Sequence, residues 1–214
     1  MPKASCISLL DKHFNLYLEE LSEWNKKFNL TSITDPEEIR KKHFENSLSV
    51  LQAIKLTNEA VIDVGAGAGF PGIPLKIACP EIKLTLVEAT RKKTEFLQHI
   101  IRILDLKDTE VIWARAEKIA HQEKYREKFD LAVARAVAGL NTLCEFCLPF
   151  VKTGGKFIAL KGQKAEAEAK AAEKAIQILG GRLKQSGPIT IIEKIAPTPP
   201  QYPRPAGMAK KSPL

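Results

Sequence analysis

The stretch Asp63-Val64-Gly65-Ala66-Gly67-Ala68-Gly69-Phe70-Pro71-Gly72 carries the densest chemical signal in the chain. It follows a short apolar run and precedes a helical pattern, the context of a ligand loop at a strand end. Glycines there let the backbone turn sharply and approach a ligand closely. Gly67, Gly69 and Gly72 formally match the GxGxxG spacing of a dinucleotide site. Two features oppose that match. Asp63 puts negative charge beside any pyrophosphate. Pro71 and Pro74 remove backbone donors from the helix start that would cradle it. An acid followed by GxGxG suits a cationic or zwitterionic ligand better, and S-adenosylmethionine is both. Asp63, Gly65, Gly67 and Gly69 are therefore candidate cofactor contacts.

Three further positions fall at the ends of expected strands. Glu88 closes the second, where a carboxylate can accept both ribose hydroxyls. Ala116-Glu117 follows the third and can offer an amide and a carboxylate to an adenine edge. Arg135 ends the fourth, where amine methyltransferases carry Asp/Asn-Pro-Pro-aromatic and C5-pyrimidine enzymes carry Pro-Cys. Its planar fork can pair with a cofactor carboxylate or a substrate acceptor. Cys144 and Cys147 form a lone CxxC inside a helical stretch with no further ligand cluster, so no metal is expected. His43, His99 and His121 have no Ser or Cys partner at a recognisable spacing, and His99 and His121 read as structural or exposed.

The elements that must hold these residues alternate. Residues 6–28 repeat Ile7, Leu10, Phe14, Leu18, Leu21, Trp24 and Phe28 at helical spacing. Asp35-Pro36-Glu37-Glu38 is a helix start, and helical pattern runs, with a possible break, to about residue 54. Short apolar runs at 60–64, 84–87, 110–113, 129–133 and 157–160 read as buried parallel strands. Helical patterns at 73–79, 91–105, 116–122, 139–150 and 163–180 separate them. The pattern predicts a doubly wound α/β sheet closed by a strand pair within 182–195. We expect a helical extension over 1–58, a main domain over 59–195, and a basic, Pro-rich mobile tail over 196–214.

With 214 residues, 44% hydrophobic and 27% charged, the chain can build a core without disulfides or metals. No apolar run approaches a membrane span, and the first residues lack the apolar stretch of a secretory signal. Four cysteines fit a reducing cytoplasm. The net charge of +8 is uneven. Residues 151–214 hold 12 Lys/Arg against 4 Asp/Glu, whereas residues 1–60 hold 8 against 9. A one-sided basic region points to an anionic partner, most simply nucleic acid.

With these residues in view, the chain resembles the bacterial small-subunit (16S) ribosomal RNA guanine-N7 methyltransferases, once called glucose-inhibited division protein B. The likeness rests on Trp24-Asn25, Phe28-Asn29-Leu30-Thr31-Ser32-Ile33, Lys42-His43-Phe44, the segment from Asp63 to Leu75, Arg135-Ala136, Ala159-Leu160-Lys161-Gly162 and Tyr202-Pro203-Arg204. Asn46 and Pro205 depart from the usual pattern. The resemblance implies a Rossmann-like class I S-adenosylmethionine-dependent methyltransferase. It adds Phe70, Ala89 and Thr90 to the cofactor pocket and supports Ala116, Glu117 and Arg135 there. Guanine N7 carries its own lone pair, so no general base is expected and catalysis reduces to positioning. Donors beside O6 are needed, with Arg135, Lys161 and Asn29 as candidates. Lys41, Lys42, Lys161, Lys164, Arg204, Lys210 and Lys211 could track RNA phosphates. The expected partner is 16S ribosomal RNA or the assembling small subunit, met by a cytoplasmic monomer. Competing readings are a methyltransferase of another RNA, a protein or a small molecule, a non-catalytic cofactor carrier, and an NAD-dependent oxidoreductase.

Overall fold

The computed structural model describes residues 4–214, with side chains from Leu10 onward. The side chains of Cys6 and Ile7, and the opening Met1-Pro2-Lys3, lie outside the described residues. Seven strands form one sheet: β1 (Ala60–Val64), β2 (Lys83–Glu88), β3 (Thr109–Trp113), β4 (Phe129–Arg135), β5 (Val151–Leu160), β6 (Gly181–Gln185) and β7 (Ile189–Lys194). Their order is β3-β2-β1-β4-β5-β7-β6. The first five are parallel, and β7 runs antiparallel to β5 and β6. The order reverses direction between β1 and β4, which opens a crevice at their carboxyl ends. The mostly parallel, doubly wound sheet matches the expected fold.

Near-continuous apolar strands let both faces of the sheet be covered. Alternate residues serve opposite layers. Ile62, Val64, Ala132, Ala134, Phe157 and Ala159 join one core. Val61, Leu131, Val133 and Ile158 join the other, with Leu84 and Leu86. The helices are α1 (Ala4–Asn25), α2 (Pro36–Ile39), α3 (Asn46–Leu48), α4 (Val50–Ala53), α5 (Gly72–Ala78), α6 (Arg91–Ile103), α7 (Ala116–Ile119), α8 (Leu140–Cys147), α9 (Ala165–Ala171), α10 (Glu173–Ile178) and α11 (Met208–Lys211). The expected break in the 36–54 run is a π-helical turn, Arg40–Glu45, which buries His43 and Phe44. Such turns often mark functional sites. α1 caps the glycine loop: Tyr17 is buried, and its hydroxyl donates to the Ala68 carbonyl. The Tyr17 ring stacks on Phe70 at 5.4 Å.

The segment after β7 differs from the expected mobile tail, because it is tied down. Arg126 donates to the carbonyls of Thr198, Pro199 and Tyr202. His121 bonds the Pro203 carbonyl at 2.8 Å, and Thr142 donates to the Ala209 carbonyl at 3.0 Å. Arg204 pairs bidentately with Glu145 at 2.9 and 2.6 Å, and its backbone amide donates to the same carboxylate. The lack of periodicity misleads here: this segment is held by its own carbonyls and one ion pair, not by an apolar stripe.

Glu145 is 0% exposed, and Arg204 is its ion-pair partner. Removing one partner of such a pair strands the other without water. Arg204→Ala is expected to destabilise the fold by roughly 3–5 kcal/mol. Urea unfolding of both proteins checks this; unchanged stability with weakened RNA binding would return Arg204 to the surface role first expected of it.

Candidate active site

Two adjoining cavities open where the strands end. The larger, about 540 Å³, lies between the glycine loop with Glu88 on one side and Thr31, His43 and Arg135 on the other. The smaller, about 110 Å³, is lined by Val87, Ala114, Ala116, Glu117, Phe146 and Gly207. Gly65, Ala89, Val137 and Lys210 border both. The strand order sets the layout. Glu88 and Ala116-Glu117 belong to the β2 and β3 side of β1, and Arg135 to the β4 side.

The loop's hydrogen bonds decide what it can hold. The amides of Gly65 and Ala66 both donate to the Val87 carbonyl, at 2.8 and 3.0 Å. Those of Gly69 and Phe70 go to the Ala66 carbonyl. Gly67 donates to Glu88 at 3.0 Å and Gly72 to Asp63 at 2.8 Å. A pyrophosphate needs such amides free. Here six of the seven amides from Gly65 to Gly72 are spent inside the protein, all but that of Ala68, which argues against the dinucleotide reading. Space and acceptors fit a nucleoside cofactor instead. Gly67, at φ +60, has only the Gly65 carbonyl near the direction a Cβ would take, at 3.8 Å, so ligand can approach its backbone. Gly65, at φ +76, is closed differently: a Cβ would meet Val137 at 2.7 Å. Glu88 accepts from Gly67 and Thr90, one amide per oxygen, and each oxygen keeps a second lone pair.

The β4 side is a chain of contacts. The guanidinium of Arg135 lies 4.9 Å from the centre of the Phe70 ring. It donates to the Lys42 carbonyl at 3.0 Å and to Nδ1 of His43 at 3.1 Å. The His43 ring stacks on Phe70 at 4.6 Å. Its Nε2 lies 2.8 Å from the Thr31 hydroxyl. Asn25 holds the Thr31 segment through the Leu30 and Thr31 amides, at 2.8 and 3.0 Å.

Of the residues expected at the site, Gly65, Gly67, Phe70, Glu88, Ala89, Thr90 and Arg135 border the larger cavity, and Ala116 and Glu117 the smaller. Others do not. Asp63 is fully buried and braces Gly72, with Oδ1 unpartnered. Gly69 packs beneath Tyr17 and Ile73. Asn29 is exposed beside the cavity, and its neighbours Thr31 and Ser32 line it instead. The Lys161 side chain is 8% exposed and bound to Glu168 at 2.7 Å and to the Ala138 carbonyl at 3.0 Å, so it buttresses the loop before α8. Lys41, Lys42, Lys164 and Lys211 are exposed away from both cavities, and only Lys210 of the basic set reaches them. His43 belongs to a segment that carries the resemblance, but its place in the wall was missed because a histidine after two lysines has no local signature of its role.

Asp63 and His43 are shifted in opposite senses. Burial lifts the Asp63 carboxyl to about 7. Burial, then the Arg135 charge, pushes His43 down to about 4. The folded chain holds the Asp63 proton more tightly than the unfolded chain, so this contribution to stability falls as pH rises from about 4 to 7. It holds the His43 proton less tightly, so that contribution rises between about 4 and 6.5. The two offset each other. Asp63→Asn removes the first alone, and its melting temperature is expected to climb more steeply with pH over this range than the wild type's. Parallel melting curves for the two proteins would contradict the assignment.

Known proteins place the chain. The family model described as rRNA small subunit methyltransferase G matches residues 10–189. The Ribosomal RNA small subunit methyltransferase G of Acetivibrio thermocellus is 48% identical over 96% of this chain and 88% of its own length. That of Brevibacillus brevis is 45% identical over 99% and 95%. Among solved structures, a putative S-adenosyl-L-methionine-dependent methyltransferase from Methanococcus maripaludis shares the fold, with TM-score 0.56, 17% identity, and 75% of this chain and 90% of that one covered. One from Aquifex aeolicus gives 0.53 at 16% identity, over 72% and 90%. No helix among the described residues is long and apolar enough to cross a membrane. The sheet order, the loop that spends its amides internally and these matches agree: the chain belongs to the rRNA small subunit methyltransferase G family, enzymes that use S-adenosylmethionine.

Proposed function

We infer that the chain methylates N7 of a guanine in small-subunit (16S) ribosomal RNA. The observation that supports the choice of atom is that no side chain of the β4 wall, which faces the acceptor, is placed as a general base. His43 has both ring nitrogens engaged, and Glu88 holds Gly67 and Thr90. A target that must lose a proton finds no partner on that wall, and the carboxylates of Glu88 and Glu117 lie on the cofactor side. Guanine N7 has no proton to lose, and its lone pair lies in the base plane.

When bound, S-adenosylmethionine supplies an electrophilic methyl group on sulfur. Glu88 would accept the ribose hydroxyls with its remaining lone pairs, and the Ala116-Glu117 chamber would take the adenine. Arg135 fixes the opposite wall. Its fork ties the π-helical turn to β4 and holds His43 against Phe70, so the acceptor base meets a preformed surface. Lys210 stands at the cavity mouth, and the exposed Lys41, Lys42, Lys164 and Lys211 would follow the phosphates. Guanine N7 is out of reach in a paired RNA helix, so the target would be unpaired or extruded.

The direct test incubates the protein with methyl-labelled cofactor and small-subunit RNA or particles from cells lacking this gene. Borohydride reduction and aniline then cut the RNA at N7-methylguanine. A cut at one guanine is expected; label that resists cleavage would overturn the assignment to N7. Glu88→Ala is expected to weaken cofactor binding by about 1–3 kcal/mol, with RNA affinity kept. Calorimetry with each ligand separates the two effects. Arg135→Lys is expected to lower methyl transfer roughly ten- to hundredfold, because an ammonium cannot span the Lys42 carbonyl and His43 as the planar fork does. Single-turnover rates with circular dichroism as a folding control check this.

A further inference from the structure

Hydrogen-bond accounting along the β4 wall fixes the direction of every donor up to one atom. Arg135 has donors only. Its Nη2 lies 3.1 Å from Nδ1 of His43, so that nitrogen must accept. In a neutral imidazole the proton then sits on Nε2. Nε2 donates across 2.8 Å to Oγ1 of Thr31. The amide of Ile33 donates to the same oxygen at 3.1 Å. A hydroxyl has two acceptor positions and one donor. Both acceptor positions of Thr31 are therefore filled, while its O–H has no acceptor within the described protein. Thr31 borders the large cavity. The relay leaves it a one-way group that can give a hydrogen bond and cannot take one.

We propose that the Thr31 hydroxyl is the donor that recognises the 6-oxo group of the purine substrate, oriented by Arg135 through His43. The proposal rests on guanine N7 as the methylated atom. N7 must stay free to attack, so recognition along that edge of guanine falls to O6, an acceptor. Adenine presents an amino group there. A hydroxyl with its lone pairs filled meets that amino group hydrogen to hydrogen, which makes Thr31 selective as well as attractive. Ser32 also borders the cavity, but it is exposed and its hydroxyl is not held in one sense. Lys161, bound to Glu168 and Ala138, and the outlying Asn29 do not supply the donor. His43 and Arg135 are positioning residues in this scheme.

The test is a cycle between Thr31→Val and RNA carrying 2-aminopurine at the mapped position. 2-Aminopurine keeps N7 and lacks O6. Single-turnover methyl transfer is measured for both proteins on both RNAs, with cofactor affinity by calorimetry and Thr31→Ser as the conservative control. Thr31→Val is expected to lose roughly ten- to hundredfold on guanine RNA, at near wild-type cofactor affinity, and Thr31→Ser to recover most of it. On 2-aminopurine RNA the two proteins are expected to react at similar rates, because the contact is already gone. Losses that multiply would assign Thr31 a purely structural role and overturn the proposal. So would a wild-type rate on 2-aminopurine equal to that on guanine, an outcome independent of whether Thr31→Val folds. Failure of wild-type protein to methylate guanine N7 at all is read separately, by the cleavage assay, and would remove the substrate reading along with the proposal.

Discussion

A guanidinium cannot shed its proton, and Arg135 carries one half-buried at the end of a central strand. Its donors must find acceptors. They come from elsewhere in the chain: the Lys42 carbonyl, Nδ1 of His43 and the face of Phe70. The π-helical turn is thereby drawn onto the sheet edge, and His43 is forced neutral with one tautomer. Burial alone would have lowered its pKa, and the neighbouring cation adds to that. The polarity of the whole β4 wall follows from the need to satisfy this one charge.

The glycine loop is held from the other side by comparable bookkeeping. Of its seven amides between Gly65 and Gly72, five end on Val87, Ala66 and Glu88 and one on the buried Asp63, which leaves only that of Ala68. Anion binding at a helix start depends on unspent N–H groups. Spending them internally leaves a loop that ligand can approach closely without an electrostatic invitation to phosphate. The same formal glycine spacing can therefore serve two cofactor classes, and partner assignment, not spacing, separates them.

The basic last third of the chain takes on a different meaning once folded. Lys161 pairs with Glu168, Lys194 with Glu127 and Arg204 with Glu145. These cations neutralise carboxylates within the protein, and two of them, Lys194 through Thr198 and Arg204 through Glu145, hold the C-terminal segment in place. That segment brings Gly207 and Lys210 to the cavities, and the Gly207 amide lies 3.3 Å from Glu117. A net charge counts residues and not commitments, so the +8 overstated how much of this region is free to meet RNA.

The strands and their positions were legible because apolar runs of five or so residues between glycines have few other stable uses. The ligand edge followed from the alternation, since parallel sheets bind beyond their carboxyl ends. Glu88, Arg135 and the glycine loop could be found that way, because each ends or follows a strand. Resemblance and type point to Asn29 and Lys161 as substrate donors, but Thr31 and not Asn29 borders the cavity, and Lys161 sits in an ion pair with Glu168. His43 and Thr31 lie in segments that carry the resemblance, but nothing local gave either a role, since they are 12 residues apart and far from Arg135 in sequence. By itself the sequence determined the sheet, its ligand edge and the cofactor class, because these rest on local patterns of hydrophobicity and backbone freedom. Only the tertiary structure decided which polar groups are spent and which face the cavity, because a hydrogen bond is made between two partners and the chain does not say who the second will be.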